Sequence, residues 1–130
     1  MKKLRFIAMM LCIAALGLTT SCTKDNEDLI IGKWKCVSSV HQSVDPDTHE
    51  LNTYNNESVG MVMEFTKDGK VTIAGGGTSD YSISGNTLYM DGGRTQLEIK
   101  KLTKKEMTLF FDNSEELGYQ STGTLNFEKQ

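Results

Sequence analysis

Residues that could do chemistry are few in this chain, and their spacing narrows what they could do. Asp45, Asp47, His49 and Glu50 lie close together in the sequence, and alternating oxygen donors of this kind can hold calcium. Pro46 interrupts the run, and the dense acidic and glycine pattern of an EF-hand loop is missing, so a solvated loop with no metal is the expectation. His41 and His49 belong to no nucleophile motif, and Glu64 and Glu98 fall at outward positions, so no paired carboxylates are expected to face each other. Gly75-Gly76-Gly77 leads into neither a helix nor a Lys-Ser or Lys-Thr pair, which a phosphate loop requires. The expectation is a protein with no catalytic residues and no cofactor.

Cysteine is the remaining reactive type, at Cys12, Cys22 and Cys36. The first two lie in a segment with its own logic. Lys2, Lys3 and Arg5 precede an apolar run of 13 residues from Phe6 to Leu18, followed by Thr19, Thr20 and Ser21. That is the basic, apolar, small-residue order of an export signal, and the run is shorter than the roughly 20 residues needed to span a bilayer. Small residues leading directly into Cys22 resemble the lipobox of bacterial lipoproteins, although Thr19 stands where that motif usually has Leu and Leu18 lies one place earlier. The resemblance implies a signal peptide over 1–21, lipidation of Cys22 and attachment to the outer membrane through that anchor; an ordinary signal peptide that happens to hold a cysteine is the alternative. Residues 22–29 then read as a flexible, lipid-anchored tether, since Thr23 to Asp28 are polar and acidic. Their position resembles the acidic export signals of some surface lipoproteins, with a plain solvated spacer as the other reading.

Loss of the leader, with Cys22 lipidated, would leave Cys36 as the only thiol, so no intrachain disulfide could form and the fold must stand on its core. It also removes three of the 14 Lys and Arg residues and none of the 17 acids, taking the formal net charge from −3 to −6. A nucleic acid partner is excluded by that balance, because phosphate binding needs a basic face.

From Ile30 onward the hydrophobic period is two. One face takes Ile30, Gly32, Trp34, Cys36, Ser38 and Val40, and the other takes Lys33, Lys35 and His41. Residues 42–58 contain the only proline and several Asp and Asn residues, and read as a long loop with a weak strand near Glu50–Tyr54. Short alternating runs come next: Met61, Met63 and Phe65; Val71 and Ile73; Tyr81 and Ile83; Leu88 and Met90; Leu97 and Ile99; Met107, Leu109 and Phe111. The last run is Leu117, Tyr119, Ser121, Gly123, Leu125 and Phe127. Turn residues such as Lys67-Asp68-Gly69-Lys70 and Ser84-Gly85-Asn86 separate them. No stretch after the leader keeps a helical stripe, and Glu115–Leu117 could form one turn at most. The fold class is therefore all-β: an antiparallel up-and-down meander of 8–9 strands over residues 30–130, closed or nearly closed into a barrel to remove its edges.

Gly32-Lys33-Trp34 at the start of the first strand resembles the Gly-x-Trp of lipocalins. Phe65 to Val71 and Tyr81 to Leu88 look like the central hairpins of small bacterial lipocalin-like lipoproteins, and Leu97-x-Ile99 with Met107-x-Leu109 fits the same pattern. The resemblance implies a lipocalin-like barrel in which Trp34 plugs the closed end. The chain lacks the C-terminal helix and disulfide of larger lipocalins. Inward Met61, Met63, Met90 and Met107, with Tyr81 and Tyr119, form a candidate lining for a small, partly apolar ligand. The same residues could simply fill the barrel, although small residues at Ser121 and Gly123 leave room that something must occupy. Two functions remain open: non-enzymatic binding of a small apolar ligand, or an interaction or inhibitor module docking to an envelope protein partner. Outward Val37, Val62, Tyr89 and Phe110 would serve the second if adjacent strands brought them together.

Overall fold

The structure is a computed structural model that describes residues 25–130. The expected signal peptide and the Cys22 anchor lie outside the described residues. Nine antiparallel strands succeed one another: β1 (Gly32–Val44), β2 (Leu51–Asn55), β3 (Val62–Phe65), β4 (Lys70–Ile73), β5 (Thr78–Ser84), β6 (Thr87–Met90), β7 (Thr95–Leu102), β8 (Glu106–Asp112) and β9 (Ser121–Lys129). Each of β3 to β9 pairs with its predecessor or, for β3, with β1, and β9 returns to pair with β1. The result is a closed eight-stranded barrel with β2 as one extra strand.

Alternation builds the core. Trp34, Cys36, Met63, Phe65, Val71, Ile83, Leu88, Met90, Leu97, Ile99, Met107, Leu109 and Phe127 are buried, while their strand neighbours Lys33, Lys35, Glu64 and Glu98 are exposed. Tight turns hold the meander together. Thr66 and Lys70 close the β3–β4 hairpin, with the Thr66 hydroxyl on the Asp68 carboxylate, and the β5–β6 register sets Ser84 opposite Thr87 across Gly85-Asn86.

Three expectations need correction. The first strand does not keep one face: its register against β9 shifts between Cys36 and Ser38, and the extra residue inverts the facing of every position after it. Ser39 is buried, Val40 is exposed and His41 turns inward, opposite to the simple alternation. Residues 42–58 hold the strand expected near Glu50–Tyr54, which is β2, but are otherwise not one long loop, because β1 continues to Val44 and turns through residues 45–50 into it. Asp45 makes that turn: its carboxylate accepts the N–H groups of Asp47 and Thr48 at 2.8 and 2.9 Å, and its own N–H donates to the Glu50 carbonyl. The last strand begins at Ser121, so Leu117 and Tyr119 lie before it: Leu117 ends the short helix Ser114–Leu117 and Tyr119 sits in the connection.

Residues 22–24 of the expected tether lie outside the described residues. Residues 25–29 form a helical turn, α1, and its partners lie on the barrel. Asn26 is buried and its side-chain amide donates to the Gly85 carbonyl at 3.1 Å, while Ile30 is fully buried. The polar, acidic run before Leu29 gives no sign of this, since the Gly85 carbonyl that Asn26 bonds lies 59 positions away.

Candidate functional site

A site for a small ligand would be sought first in the barrel interior. Here the interior is occupied by side chains. Trp34, Leu88, Met107 and Leu109 have no exposed surface, and Met63, Phe65, Val71 and Phe127 have at most 2%. The room left by Gly123 is taken as well: a Cβ on that residue would lie 2.2 Å from the Phe111 ring, so the ring rests directly on its backbone. Ser121 is buried and its hydroxyl lies 3.2 Å from His41 Nε2.

One end of the barrel is sealed by α1 and the start of β1. Trp34 donates from Nε1 to the Ile30 carbonyl at 2.8 Å, which satisfies its one polar atom within the buried end. Lys129 crosses above, with Nζ 5.2 Å from the Trp34 ring centre and 3.4 Å from the Leu29 carbonyl. This crossing explains Gly32. A Cβ there would meet Lys129 Cε at 2.7 Å, and its φ of 133° is one that residues with side chains rarely adopt. The glycine and the tryptophan of Gly32-Lys33-Trp34 are therefore two parts of one closure.

At the other end, the inverted half of β1 brings His41 against Tyr54 and Phe111, each ring centre 5.7 Å away. A histidine bonded to a serine hydroxyl invites comparison with a nucleophile and its base. The described partners of His41 are the Ser121 hydroxyl and the two rings, none of them a carboxylate that would orient it, and Ser121 is 4% exposed. The cluster packs the mouth.

A cleft of about 700 Å3 opens beside the sealed end, where Tyr81 and Ile83 on β5 face Ile31, the β3–β4 turn and the acidic side chains Glu27, Asp28 and Asp68. Tyr81 stands edge-on to Phe65 with ring centres 4.9 Å apart, and its hydroxyl donates to the Thr66 carbonyl at 2.8 Å. Burial raises its phenol above the ordinary value, with the nearby Glu27 and Asp68 charges adding to the shift. A second cleft, about 370 Å3, lies at the mouth between Arg94, Leu97, Phe111 and Glu116.

The candidate ligand residues are thus dispersed. Met63, Met90 and Met107 are in the buried core, Met61 packs against it just before β3, Tyr81 borders the cleft, and Tyr119 sits in the connection before β9. The four outward residues are divided too. Val37 and Val62 lie on the neighbouring strands β1 and β3, but Tyr89 on β6 and Phe110 on β8 are separated by Gln96 and Glu98 of β7. Sequence reasoning missed Phe111 as the occupant of the Gly123 space, although both stood on inward runs of consecutive strands, and it missed His41 because the bulge left no mark in the hydrophobic pattern. Among the described residues no cluster of His, Cys, Asp and Glu could hold a metal ion. Residues 30–109 match the family described as lipocalin-like domain. Neither the curated proteins nor the solved structures give a match.

Proposed function

The chain belongs to the lipocalin-like domain family, and from that premise we propose that it is a non-enzymatic binding protein of the cell envelope, anchored by lipid at Cys22, that engages an envelope partner on the outside of a filled barrel. The observation that carries this reading is the packed interior. Eight-stranded barrels are just wide enough for side chains or for one small ligand, and here eight large side chains with at most 2% exposure occupy that space. The lipid anchor is supported by the order of basic, apolar and small residues before Cys22. The acidic surface supports a partner other than nucleic acid.

A small, partly apolar ligand remains the second reading, favoured by the cleft at Tyr81 and Ile83 rather than by the interior. Titration with an apolar fluorescent probe such as 1-N-phenylnaphthylamine separates the two. The first reading expects no saturable enhancement. Saturable enhancement lost in Tyr81→Ala favours the cleft, and enhancement lost in Met107→Ala but not in Tyr81→Ala would show an interior site and overturn the filled barrel. The anchor has its own test: Cys22→Ser should move the protein from the detergent phase to the aqueous phase on phase partitioning, and retention in detergent would refute it.

A further inference from the structure

Strand β2 has β1 as its one hydrogen-bonded neighbour. Its other edge has no strand beside it among the described residues. Two bonds that bracket the strand determine which groups that edge presents. The Glu50 carbonyl accepts from Asp45 N–H at 2.8 Å, and Asn56 N–H donates to the Ser39 carbonyl at 2.7 Å, so the even-numbered positions turn toward β1. Backbone groups alternate sides along a strand, so Leu51, Thr53 and Asn55 direct both N–H and C=O away from the barrel.

This edge lacks the usual protections. Its sequence, Leu51-Asn52-Thr53-Tyr54-Asn55, contains no charge and no proline, and no register shift interrupts its pairing with β1. A separate observation points to the same place. Of the six large apolar residues that stand exposed among the described residues, Val40 (41%), Leu51 (56%), Tyr54 (40%) and Val59 (49%) lie on the β1–β2 ribbon or in the loop just after it.

We propose that β2 pairs antiparallel with β2 of a second copy of this chain, about a two-fold axis through Thr53. In that register Thr53 lies opposite its own counterpart and Leu51 opposite Asn55, so all three outward residues of each chain find partners. A shift by one residue would set these groups against positions already bonded to β1. The flanking charges fit as well. Glu50 falls opposite Asn56 and Glu57 opposite His49, so no two acids face each other. The surface is self-complementary in backbone and charge, which is the requirement of an isologous contact. A foreign strand could satisfy the backbone groups, but it would owe nothing to the symmetry of this register. The inference stands on the edge alone and does not depend on the lipid anchor or on the filled interior.

Cysteine crosslinking in the full chain tests it. Residues opposite each other in a hydrogen-bonded antiparallel pair have Cα atoms about 5.5 Å apart, within disulfide range. Thr53→Cys should oxidise to a covalent homodimer in yields at least about tenfold above Lys104→Cys, which lies on the β7–β8 turn away from β2. Sedimentation of the unmodified chain should show a reversible dimer, and Thr53→Pro should weaken it at least about tenfold, since the substitution removes an outward N–H and leaves the β1 ladder intact. Should the proline disturb the fold, Thr53→Lys places two like charges on the axis and is expected to give the same loss. A monomer at concentrations up to about 0.1 mM, a dimer indifferent to both substitutions, or crosslinking no better than at Lys104 would overturn the proposal. A Thr53→Cys crosslink to a different protein in place of a second copy would overturn the choice of occupant.

Discussion

Phe111 lies so close to Gly123 that the two act as one packing unit. A methyl group added at Gly123 has nowhere to go unless the ring moves, and the ring also packs against His41, with ring centres 5.7 Å apart. Gly123→Ala is expected to destabilise the protein by about 1–3 kcal/mol in chemical denaturation, and Phe111→Leu should recover part of that loss in the double variant. Trp34 fills the opposite end with no exposed surface, so Trp34→Ala should cost about 3–5 kcal/mol by the same measurement. Asp45 differs in kind because it is a half-buried turn residue. The backbone N–H groups of Thr48 and Asp47 hold its carboxyl below the usual carboxylate range, favouring the charged form in the folded state. That stabilisation is present above the unfolded carboxylate pKa and is lost as pH falls through the lower folded value. Asp45→Ala should therefore lower the Tm at neutral pH, and the gap to the parent should close in acid; a gap independent of pH would contradict the assignment. Cys36, wholly buried, has its thiol pKa raised by desolvation, which should make it slow toward thiol reagents until the barrel unfolds.

At the scale of the element, α1 is the piece most easily detached from the rest. Asn26 fastens it to the β5–β6 turn and accepts the Ile30 N–H at 3.0 Å through its carbonyl. Asn26→Ala should cost about 1 kcal/mol and speed hydrogen exchange at Ile30 more than at Leu88 in the core. Exchange quickening equally at both would mean that α1 and the barrel open together. The same elements show what could be read in advance. Strands β3 to β8 were legible because short apolar alternations and turn residues such as Asp68-Gly69 and Gly85-Asn86 are local signals. The bulge after Cys36 was not, since Val37-Ser38-Ser39-Val40 alternates plausibly in either phase and only the pairing with β9 selects one. Asp45 and Pro46 looked like part of a long loop because turn-forming residues do not announce how short the turn is. The site was less legible than the fold for the same reason: inward positions can be counted from sequence, but whether their side chains meet in the middle depends on the closed barrel.

For the whole molecule, β9 returns to close the sheet on β1, and the core residues of all strands except β2 form one cluster. Unfolding should be a single cooperative transition, with emission from the only tryptophan, Trp34, and far-UV circular dichroism changing together. An earlier change at Trp34 would show that the sealed end opens by itself. The position of α1 has a further consequence once the proposed lipid at Cys22 is considered. Three Cα steps separate Cys22 from Asp25, the first described residue, a reach of at most about 11 Å, whereas the 13 residues of β1 extend to about 43 Å of contour before tilt. So short a leash would stand the barrel on its sealed end beside the bilayer and hold β2, which pairs with the last residues of β1, raised above it. The antiparallel pairing proposed for β2 reverses the strand, and with it the barrel, from one copy to the other, so two copies in that posture on one bilayer could not make it, whereas copies standing on two facing bilayers could.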